Sequence, residues 1–158
     1  MTDLEKLLER LIAHDVAFVI VGGYAAVAHG VTLVTRDVDI CCRFTATNLL
    51  RLQAAFNDLH PNHRLTPKRL PLNLTVGRCR GLKNLYLQTD WGVVDCLGEV
   101  LGVGSYAAVQ KQSIAVKLPF GTCRVLGLDA LIKAKEAMGR PHDLESVVQL
   151  KAIKARTR

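Results

Sequence analysis

Long apolar runs are absent from this chain of 158 residues. The longest, Val16 to Val21 and the interrupted stretch Val93 to Leu101, fall far short of the roughly 20 residues that span a bilayer, so we expect no membrane association. The first residues mix charged and apolar side chains with no basic region before an apolar block, which argues against a secretory signal. No repeat, linker or low-complexity segment occurs, so residues 1–158 are expected to form one domain.

Closely spaced cysteine pairs are also missing. The five cysteines, at positions 41, 42, 79, 96 and 123, form no C-x-x-C pair. Zinc sites need such pairs of Cys or His, so zinc ligation is not expected. The odd number favours reduced thiols in a cytoplasmic protein, most of them buried as small apolar side chains. Cys41 and Cys42 follow one another in a strand pattern and point to opposite faces, so one of them can be exposed.

Acidic residues are outnumbered: 14 Asp and Glu stand against 21 Lys and Arg, which gives a net charge of +7. A basic protein attracts polyanions such as nucleoside triphosphates, RNA or acidic partners. Much of the excess lies in two stretches, Lys68 to Lys83 and Lys133 to Arg158. Solubility alone is the alternative explanation.

What is present is enough apolar material for a core, since 49% of the residues are hydrophobic and 22% are charged, which argues against disorder. Periodicity predicts helices over residues 4–12 and 24–29, and strands over residues 16–21 and 36–42. Thr47 is predicted to cap the next helix.

The second half of the chain alternates short strands and turns before it becomes helical. Residues 60–72 contain three prolines and predict a loop with a short edge strand, whereas residues 84–89 and 93–97 predict a hairpin. Further strands are predicted over 114–118 and 123–126, followed by a helix over 128–138 and a last helix capped by Asp143. The sequence therefore predicts an α/β (α+β) domain: a mixed sheet flanked by helices, with its core over residues 15–126 and a C-terminal helical pair over 128–157.

A pair of aspartates is the main candidate for chemistry. Asp37 and Asp39 alternate with Val38 and Ile40, so on a strand both carboxylates project from one face while the apolar residues enter the core. Two adjacent carboxylates repel one another, and a divalent cation relieves that cost. Magnesium prefers oxygen ligands and commonly binds one or two carboxylates plus substrate phosphates, so we expect Mg²⁺ here.

A Gly-Gly turn lies thirteen residues before this pair. Gly22 and Gly23 end the predicted strand over 16–21 and precede a short helix. Glycine lets the backbone approach a phosphate closely, and free N–H groups at a helix start attract an anion. Asp95 is the candidate third carboxylate, because it is a lone Asp in an apolar strand and would complete a two-metal site. Asp90 lies in the preceding turn, where Asp is common for backbone reasons.

These residues resemble the signature of the nucleotidyltransferase fold related to DNA polymerase beta. The stretch from Gly22 to Gly30, followed by Thr35-Arg36-Asp37-Val38-Asp39-Ile40, is similar to a small bacterial and archaeal subgroup allied to AbiEii-type toxins and minimal nucleotidyltransferases. That subgroup tends to carry a late Lys, Arg and Asp, which here are Lys135, Arg140 and Asp143.

The resemblance implies a role for each position. Asp37, Asp39 and Asp95 would be the catalytic residues and would hold magnesium, with Asp95 as the candidate general base. A second group would bind the nucleotide: Gly22, Gly23, Arg36, Lys135 and Arg140. Relatives often carry an arginine where this chain has Leu33, and Arg36 is the candidate replacement. For Asp143, a helix cap is the alternative to a site role.

The function expected from these features is transfer of a nucleoside monophosphate from a nucleoside triphosphate, such as ATP, to an acceptor hydroxyl with release of pyrophosphate. The acceptor is a small molecule, a protein side chain or an RNA end, and the chain is a candidate member of a toxin–antitoxin pair. A homodimer or a partner protein would supply a missing wall of the cleft. The alternative is a degenerate module, or an antitoxin-like partner protein, that binds nucleotide or nucleic acid without chemistry.

Overall fold

A computed structural model describes residues 1–157 and shows a seven-stranded mixed sheet flanked by helices. Arg158, which ends both the predicted domain and the second basic stretch, lies outside the described residues. The elements in chain order are α1 Asp3–Ala13, β1 Phe18–Ile20, α2 Gly23–Ala28, β2 Val38–Cys42, α3 Ala46–Phe56, β3 Asn62–His63, α4 Val76–Cys79, β4 Asn84–Thr89, β5 Gly92–Leu97, β6 Glu99–Val100, β7 Gly104–Ser105, α5 Tyr106–Lys111, β8 Ser113–Leu118, β9 Gly121–Leu126, α6 Leu128–Met138 and α7 Pro141–Arg156.

The sheet has the strand order β3-β4-β5-β2-β1-β9-β8, and the small strands β6 and β7 pair separately. β2 pairs in parallel with β5, and β1 pairs in parallel with β9, while the other neighbours are antiparallel. The sheet is therefore mixed, as the sequence predicts, and its central strands β5, β2 and β1 are paired on both edges.

The helices form where the sequence supplies both caps and an apolar stripe. Thr2 and Glu5 make a reciprocal capping box at the start of α1, which satisfies backbone N–H groups that have no partner within the helix. The stripe of α1 is fully buried and packs against α3, while α6 packs against α7. Full burial of a leucine side chain contributes about 1.5–3 kcal/mol, so the four leucines of this stripe are a main part of the core.

Strand alternation separates a buried face of the sheet from a more open one. Val38, Ile40 and Val94 have 1% or less of their surface exposed, whereas Asp39 and Asp95 lie between them and are half-buried. Because side chains i and i+2 share a face, both aspartates project from the open face. The sheet thus presents its acidic residues towards a cleft rather than towards the core.

Most predicted elements are confirmed, with differences at their ends. The predicted hairpin of β4 and β5 and the short edge strand β3 are present. The predicted strand over 36–42 begins only at Val38, so Asp37 precedes it and is exposed. Thr45 rather than Thr47 caps α3, accepting a hydrogen bond from the Asn48 N–H.

One further prediction for the C-terminal half was wrong. α7 starts at Pro141 with Arg140 at the N-cap position, so Asp143 does not cap this helix. The sequence patterns gave no indication of the β6–β7 pair or of helix α5, which lie between the predicted strands over 93–97 and 114–118.

The cysteine prediction is confirmed in its main point, because all five thiols are free and buried. Neither Cys41 nor Cys42 is exposed, since both have 0% of their surface accessible. No helix within residues 1–157 combines the length and the apolar character needed to cross a membrane.

Candidate active site

Gly22 lies against the carboxylate of Asp39. The Val21 N–H donates a hydrogen bond of 3.0 Å to the Asp39 carbonyl oxygen, which ties the end of β1 to β2. A Cβ added at Gly22 would overlap the Asp39 side chain, so only glycine fits here without a shift. Helix α2, which follows Gly22, has only six residues, so its start does not carry the role of Gly22. The role that the structure supports for Gly22 is its close approach to the Asp39 side chain.

Asp39 and Asp95 are direct partners across parallel strands. The register pairs Asp39 of β2 with Asp95 of β5, and both side chains project from the open face. Neighbouring strands lie about 4.8 Å apart, so the two carboxylates are adjacent. The sequence predicts that Asp39 and Asp95 lie in one site, but it does not specify the strand register that places them side by side.

The surroundings of Asp39 disfavour its charged form. Burial raises its pKa to about 6, and the negative charges of Asp95 and Asp37 act in the same direction. The positive charges of Lys135 and Arg140 oppose this shift without cancelling it. Asp39 therefore lies in electrostatic contact with both other predicted carboxylates and both predicted cations.

Arg64 binds Asp95, the third carboxylate, and no sequence pattern predicted this contact. Its Nε donates to Asp95 Oδ1 at 3.0 Å and its Nη2 donates to Asp95 Oδ2 at 2.5 Å. The Arg64 N–H also donates to the Tyr86 carbonyl oxygen at 3.0 Å, and the guanidinium lies 5.7 Å from the centre of the Tyr86 ring. Arg64, Tyr86, Asp95 and Asp39 thus form a row across four neighbouring chain segments.

A second ionic cluster lies at the junction of α6 and α7. Asp143 has 2% of its side-chain surface exposed and accepts two hydrogen bonds from Arg140, at 2.6 and 3.3 Å. The Lys135 Nζ lies 3.8 Å from Asp143 and is itself buried, and His142 Nε2 lies 3.7 Å from the same carboxylate. Asp143 therefore joins both predicted cations.

The ionisation of this cluster follows from its contacts. Burial lowers the pKa of Lys135, and the charges of Asp143 and Asp39 partly offset that effect. Burial acts to raise the pKa of Asp143, but hydrogen bonds and charge from Arg140 outweigh it and leave that pKa lowered. The cluster thus keeps a negative Asp143 next to Arg140, whose pKa is raised by the same hydrogen bonds.

A cavity of about 290 Å³ joins the two groups of charged residues. Its lining residues come from the turn after β1, from β2, β4 and β5, from the end of β6, and from α6 with the residues after it. The predicted site residues that line it are Gly22, Asp39, Asp95, Lys135, Arg140 and Asp143. Apolar side chains complete the lining: Val21, Leu97, Val100, Leu101, Ala134 and Met138.

Three predicted site residues do not line this cavity. Asp37, Arg36 and Gly23 are absent from its walls, and the first two are exposed just before β2. A Cβ at Gly23 would lie 3.0 Å from Thr35 Oγ1, so this glycine packs against the loop rather than the cavity. Leu33 is also exposed, at 41%. Their proposed roles in binding stay predictions.

Searches by sequence alone return no relative: no family model matches the chain, and no curated protein matches it. Solved structures do match. A candidate nucleotidyltransferase from Thermotoga maritima is 18% identical over 92% of this chain and 88% of its own, with a TM-score of 0.59. ANT(2'')-Ia in complex with adenylyl-2''-tobramycin is 16% identical over 97% and 95%, with a TM-score of 0.56. A solution structure of ANT(2'')-Ia, an antibiotic-resistance factor, is 15% identical over 98% and 90%, also at 0.56.

The chain has the nucleotidyltransferase fold. The similarity covers 92–98% of this chain and 88–95% of the matched chains, and the single domain stays a prediction. The predicted resemblance is confirmed at the level of the fold. Membership of the subgroup allied to AbiEii-type toxins stays a prediction.

The contacts of the three predicted carboxylates show whether these residues fit magnesium. Within residues 1–157, neither Asp37 nor Asp39 has a side-chain hydrogen bond or ion pair, whereas Asp95 is held by Arg64. No cluster of three or more His, Cys, Asp or Glu side chains suited to a metal occurs in that range. Two unpaired carboxylates with a raised pKa on one of them fit a single Mg²⁺, which commonly takes one or two carboxylates.

Proposed function

We propose that the protein transfers a nucleoside monophosphate from a nucleoside triphosphate to an acceptor hydroxyl. The observation that carries the proposal is the cavity in which Gly22, Asp39 and Asp95 face Lys135 and Arg140. The unpaired carboxylate of Asp39 suits the metal of a metal-bound triphosphate, and the cations Lys135 and Arg140, which also contact Asp143, suit its phosphates. The fold shared with nucleotidyltransferases supports the same reaction.

In this proposal each group of residues has its own task. Asp37 and Asp39 hold Mg²⁺, which when bound neutralises the charge of the triphosphate and of the leaving pyrophosphate. Lys135 and Arg140 lie across the cavity, where they neutralise phosphate oxygens. Gly22 leaves room for the Asp39 carboxylate and for close approach of a phosphate. The apolar side of the cavity excludes water from the reacting groups.

The acceptor approaches from the side of Asp95. Its hydroxyl oxygen forms a bond to the α-phosphorus, the bond from that phosphorus to the bridging oxygen of the β-phosphate breaks, and pyrophosphate leaves. The hydroxyl proton passes to Asp95 or to water. One structural neighbour contains adenylyl-2''-tobramycin, in which a nucleotidyl group is attached to an acceptor, and this agrees with transfer to a hydroxyl. Positioning and charge neutralisation carry such reactions.

The test is thermal melting of the protein with each of the four nucleoside triphosphates, with and without Mg²⁺. Ligand at about 100 times its dissociation constant adds roughly 2.7 kcal/mol. For a domain of this size that corresponds to a shift of about 5–11 °C. We expect a magnesium-dependent shift that is lost in the Asp37→Asn, Asp39→Asn double variant and retained in the matched Asp15→Asn, Asp58→Asn variant.

A binding module without transfer is the second candidate, because Arg64 occupies the third carboxylate. Both candidates predict the thermal shift, so a second measurement separates them. Pyrophosphate release by the wild type, at a rate above that of the Asp37→Asn, Asp39→Asn variant, supports transfer. Nucleotide binding without any pyrophosphate release, across small-molecule, protein and RNA acceptors, supports the module.

A further inference from the structure

The positive charge of the chain is concentrated in one segment. Residues 59–89, here called the acid-free segment, contain six of the 21 Lys and Arg residues and none of the 14 Asp and Glu. The rest of the chain holds the other 15 basic and all 14 acidic residues, a net charge of +1. Nearly the whole net charge of +7 therefore belongs to this segment.

The acid-free segment and the second basic stretch, Lys133 to Arg158, differ in how many of their cations have acidic partners. Near the C-terminus four cations have acidic partners: Lys135 and Arg140 contact Asp143, Lys151 lies 3.8 Å from Glu136, and Lys154 lies 2.7 Å from Asp129. In the acid-free segment, Arg64 is the one Lys or Arg that pairs with a carboxylate found within residues 1–157, and His60 contacts Asp90. The other five cations are exposed and have no acidic partner there: Lys68, Arg69, Arg78, Arg80 and Lys83.

The acid-free segment forms the β3 edge of the sheet. The His63 N–H donates to the Leu70 carbonyl oxygen at 2.9 Å and the Arg69 N–H donates to that of Thr66 at 3.1 Å, so the chain folds back beside Arg64. This turn carries Lys68 and Arg69 and extends from β3, the edge strand of the seven-stranded sheet, where Asn62 also forms an isolated bridge with Pro71. Lys68 and Arg69 are therefore exposed at the β3 edge of the sheet.

One member of the segment, Tyr86, lines the cavity, and Arg64 contacts the lining residue Asp95. Arg64 binds Asp95 through Nε and Nη2, and its Nη1 makes no hydrogen bond within residues 1–157. Lys83 precedes β4, and its carbonyl oxygen accepts a 2.9 Å hydrogen bond from Gly98, next to the cavity residue Leu97. Arg64 thus links the acid-free segment to the third carboxylate.

We infer that the acceptor is the end of a single-stranded nucleic acid, whose phosphates lie on the acid-free segment while Arg64 brings its terminal hydroxyl to Asp95. This inference rests on the proposed function and names its acceptor. A strand of phosphates matches a row of exposed cations without acidic partners. Arg64, with its guanidinium near the Tyr86 ring and a free Nη1, can meet both a phosphate and a base.

An anionic membrane surface is the competing partner for such a patch, because Leu65, Leu70 and Val76 are exposed among the cations. The position of Arg64 favours nucleic acid. A strand end is narrow enough to enter the cleft where Arg64 binds Asp95, whereas a bilayer contacts only the outer cations.

The experiment measures binding of a fluorescein-labelled single-stranded RNA of 12 nucleotides by fluorescence anisotropy, at several KCl concentrations. The test variant is Lys68→Ala, Arg69→Ala. The matched control, Lys151→Ala, Lys154→Ala, removes the same charge from the stretch with acidic partners. Each lost phosphate contact lowers the slope of log K against log salt by about 0.7, so we expect a decrease of about 1.4 in the test variant alone.

Three results overturn the inference: no RNA binding at low salt, equal slopes in the two variants, or RNA bound to the wild type being displaced by vesicles of anionic phospholipid. Melting with nucleoside triphosphate and Mg²⁺ is measured on the same samples. A nucleotide-dependent shift without RNA binding rejects the acceptor and leaves the transfer reaction standing. RNA binding without any nucleotide-dependent shift rejects the transfer reaction instead.

Discussion

Arg64 holds Asp95 through two hydrogen bonds at the point where Asp95 faces Asp39 across β5 and β2. Bidentate pairs of this kind are stronger and more directional than single contacts. The pair divides the three predicted carboxylates into two groups. Asp37 and Asp39 are available to a cation, whereas Asp95 is neutralised and oriented towards the β3 edge.

The first prediction concerns the effect of the Arg64–Asp95 pair on Mg²⁺ binding. Arg64→Gln removes a positive charge next to Asp95 and leaves a third carboxylate beside Asp39, so Mg²⁺ should bind more tightly. A charge removed a few ångströms away is worth about 1 kcal/mol in a solvated site, which corresponds to about fivefold in affinity. Isothermal titration calorimetry with MgCl₂ measures the effect.

Arg10→Gln is the matched control, because Arg10 also binds an aspartate, Asp58, through two nitrogens and lies 4.7 Å from the Trp91 ring. It should leave Mg²⁺ affinity unchanged. Weaker Mg²⁺ binding in Arg64→Gln would show that Arg64 instead orients Asp95 as a metal ligand, and the division described above would be wrong.

The second prediction is a pH dependence that comes from Asp39. Its pKa of about 6 lies above that of the unfolded chain, so the folded state holds this proton more tightly. The stability that this proton provides is complete at about pH 4 and is lost as the pH rises through about 6. In buffer without divalent ions, Asp39→Asn should therefore melt higher than wild type at pH 8, with a smaller difference at pH 4.5. A difference that does not vary with pH would contradict the electrostatic origin.

The third prediction concerns the close approach of Gly22 to Asp39. Gly22→Ala places a Cβ inside the Asp39 carboxylate, so the strand or the side chain must shift. Overpacking of this kind costs about 1–3 kcal/mol, and the magnesium-dependent nucleotide shift should be lost with it. Gly77→Ala is the control, because its nearest atom would be Thr75 Oγ1 at 4.0 Å. Equal melting temperatures for both variants would show that the site tolerates a side chain at Gly22.

Sequence reasoning placed Asp39, Asp95 and Gly22 in one site because strand alternation and a glycine turn are local signals. The register that sets Asp39 beside Asp95 depends on pairing between segments more than fifty residues apart, which no local pattern encodes. The fold could be predicted for the same reason: its strands and helices carry clear periodicity.

Arg64 and Asp143 show where sequence reasoning fails. Arg64 lies in a proline-rich stretch that predicts a loop, and its partner Asp95 is brought to it only by the β3–β4–β5 arrangement. Residues 59–89 contain no Asp or Glu, and this pattern is a sequence signal that could have identified Arg64 as a candidate site residue. Asp143 has the residue type and position of a helix cap, but its burial against Lys135 and Arg140 is a tertiary property.

The fourth prediction concerns the buried thiols. Burial raises the pKa of Cys41 to about 12 and that of Cys123 to about 11, so neither forms a thiolate at neutral pH. All five cysteines should be unreactive towards a disulfide reagent such as Ellman's in the folded protein, and all five should react in guanidinium chloride. Rapid reaction of one thiol in native buffer would contradict the burial of that side chain.

The fifth prediction concerns the contact by which Asp143 stabilises the buried Lys135. Asp143→Asn leaves the buried Lys135 without its nearest carboxylate and removes the pair with Arg140. Breaking a buried pair costs about 3 kcal/mol, a fall of about 6–12 °C in melting temperature. Adding Lys135→Met removes the uncompensated charge, so the double variant should regain much of this loss but show no nucleotide-dependent shift. A double variant no more stable than Asp143→Asn would mean that Arg140, rather than Lys135, depends on Asp143.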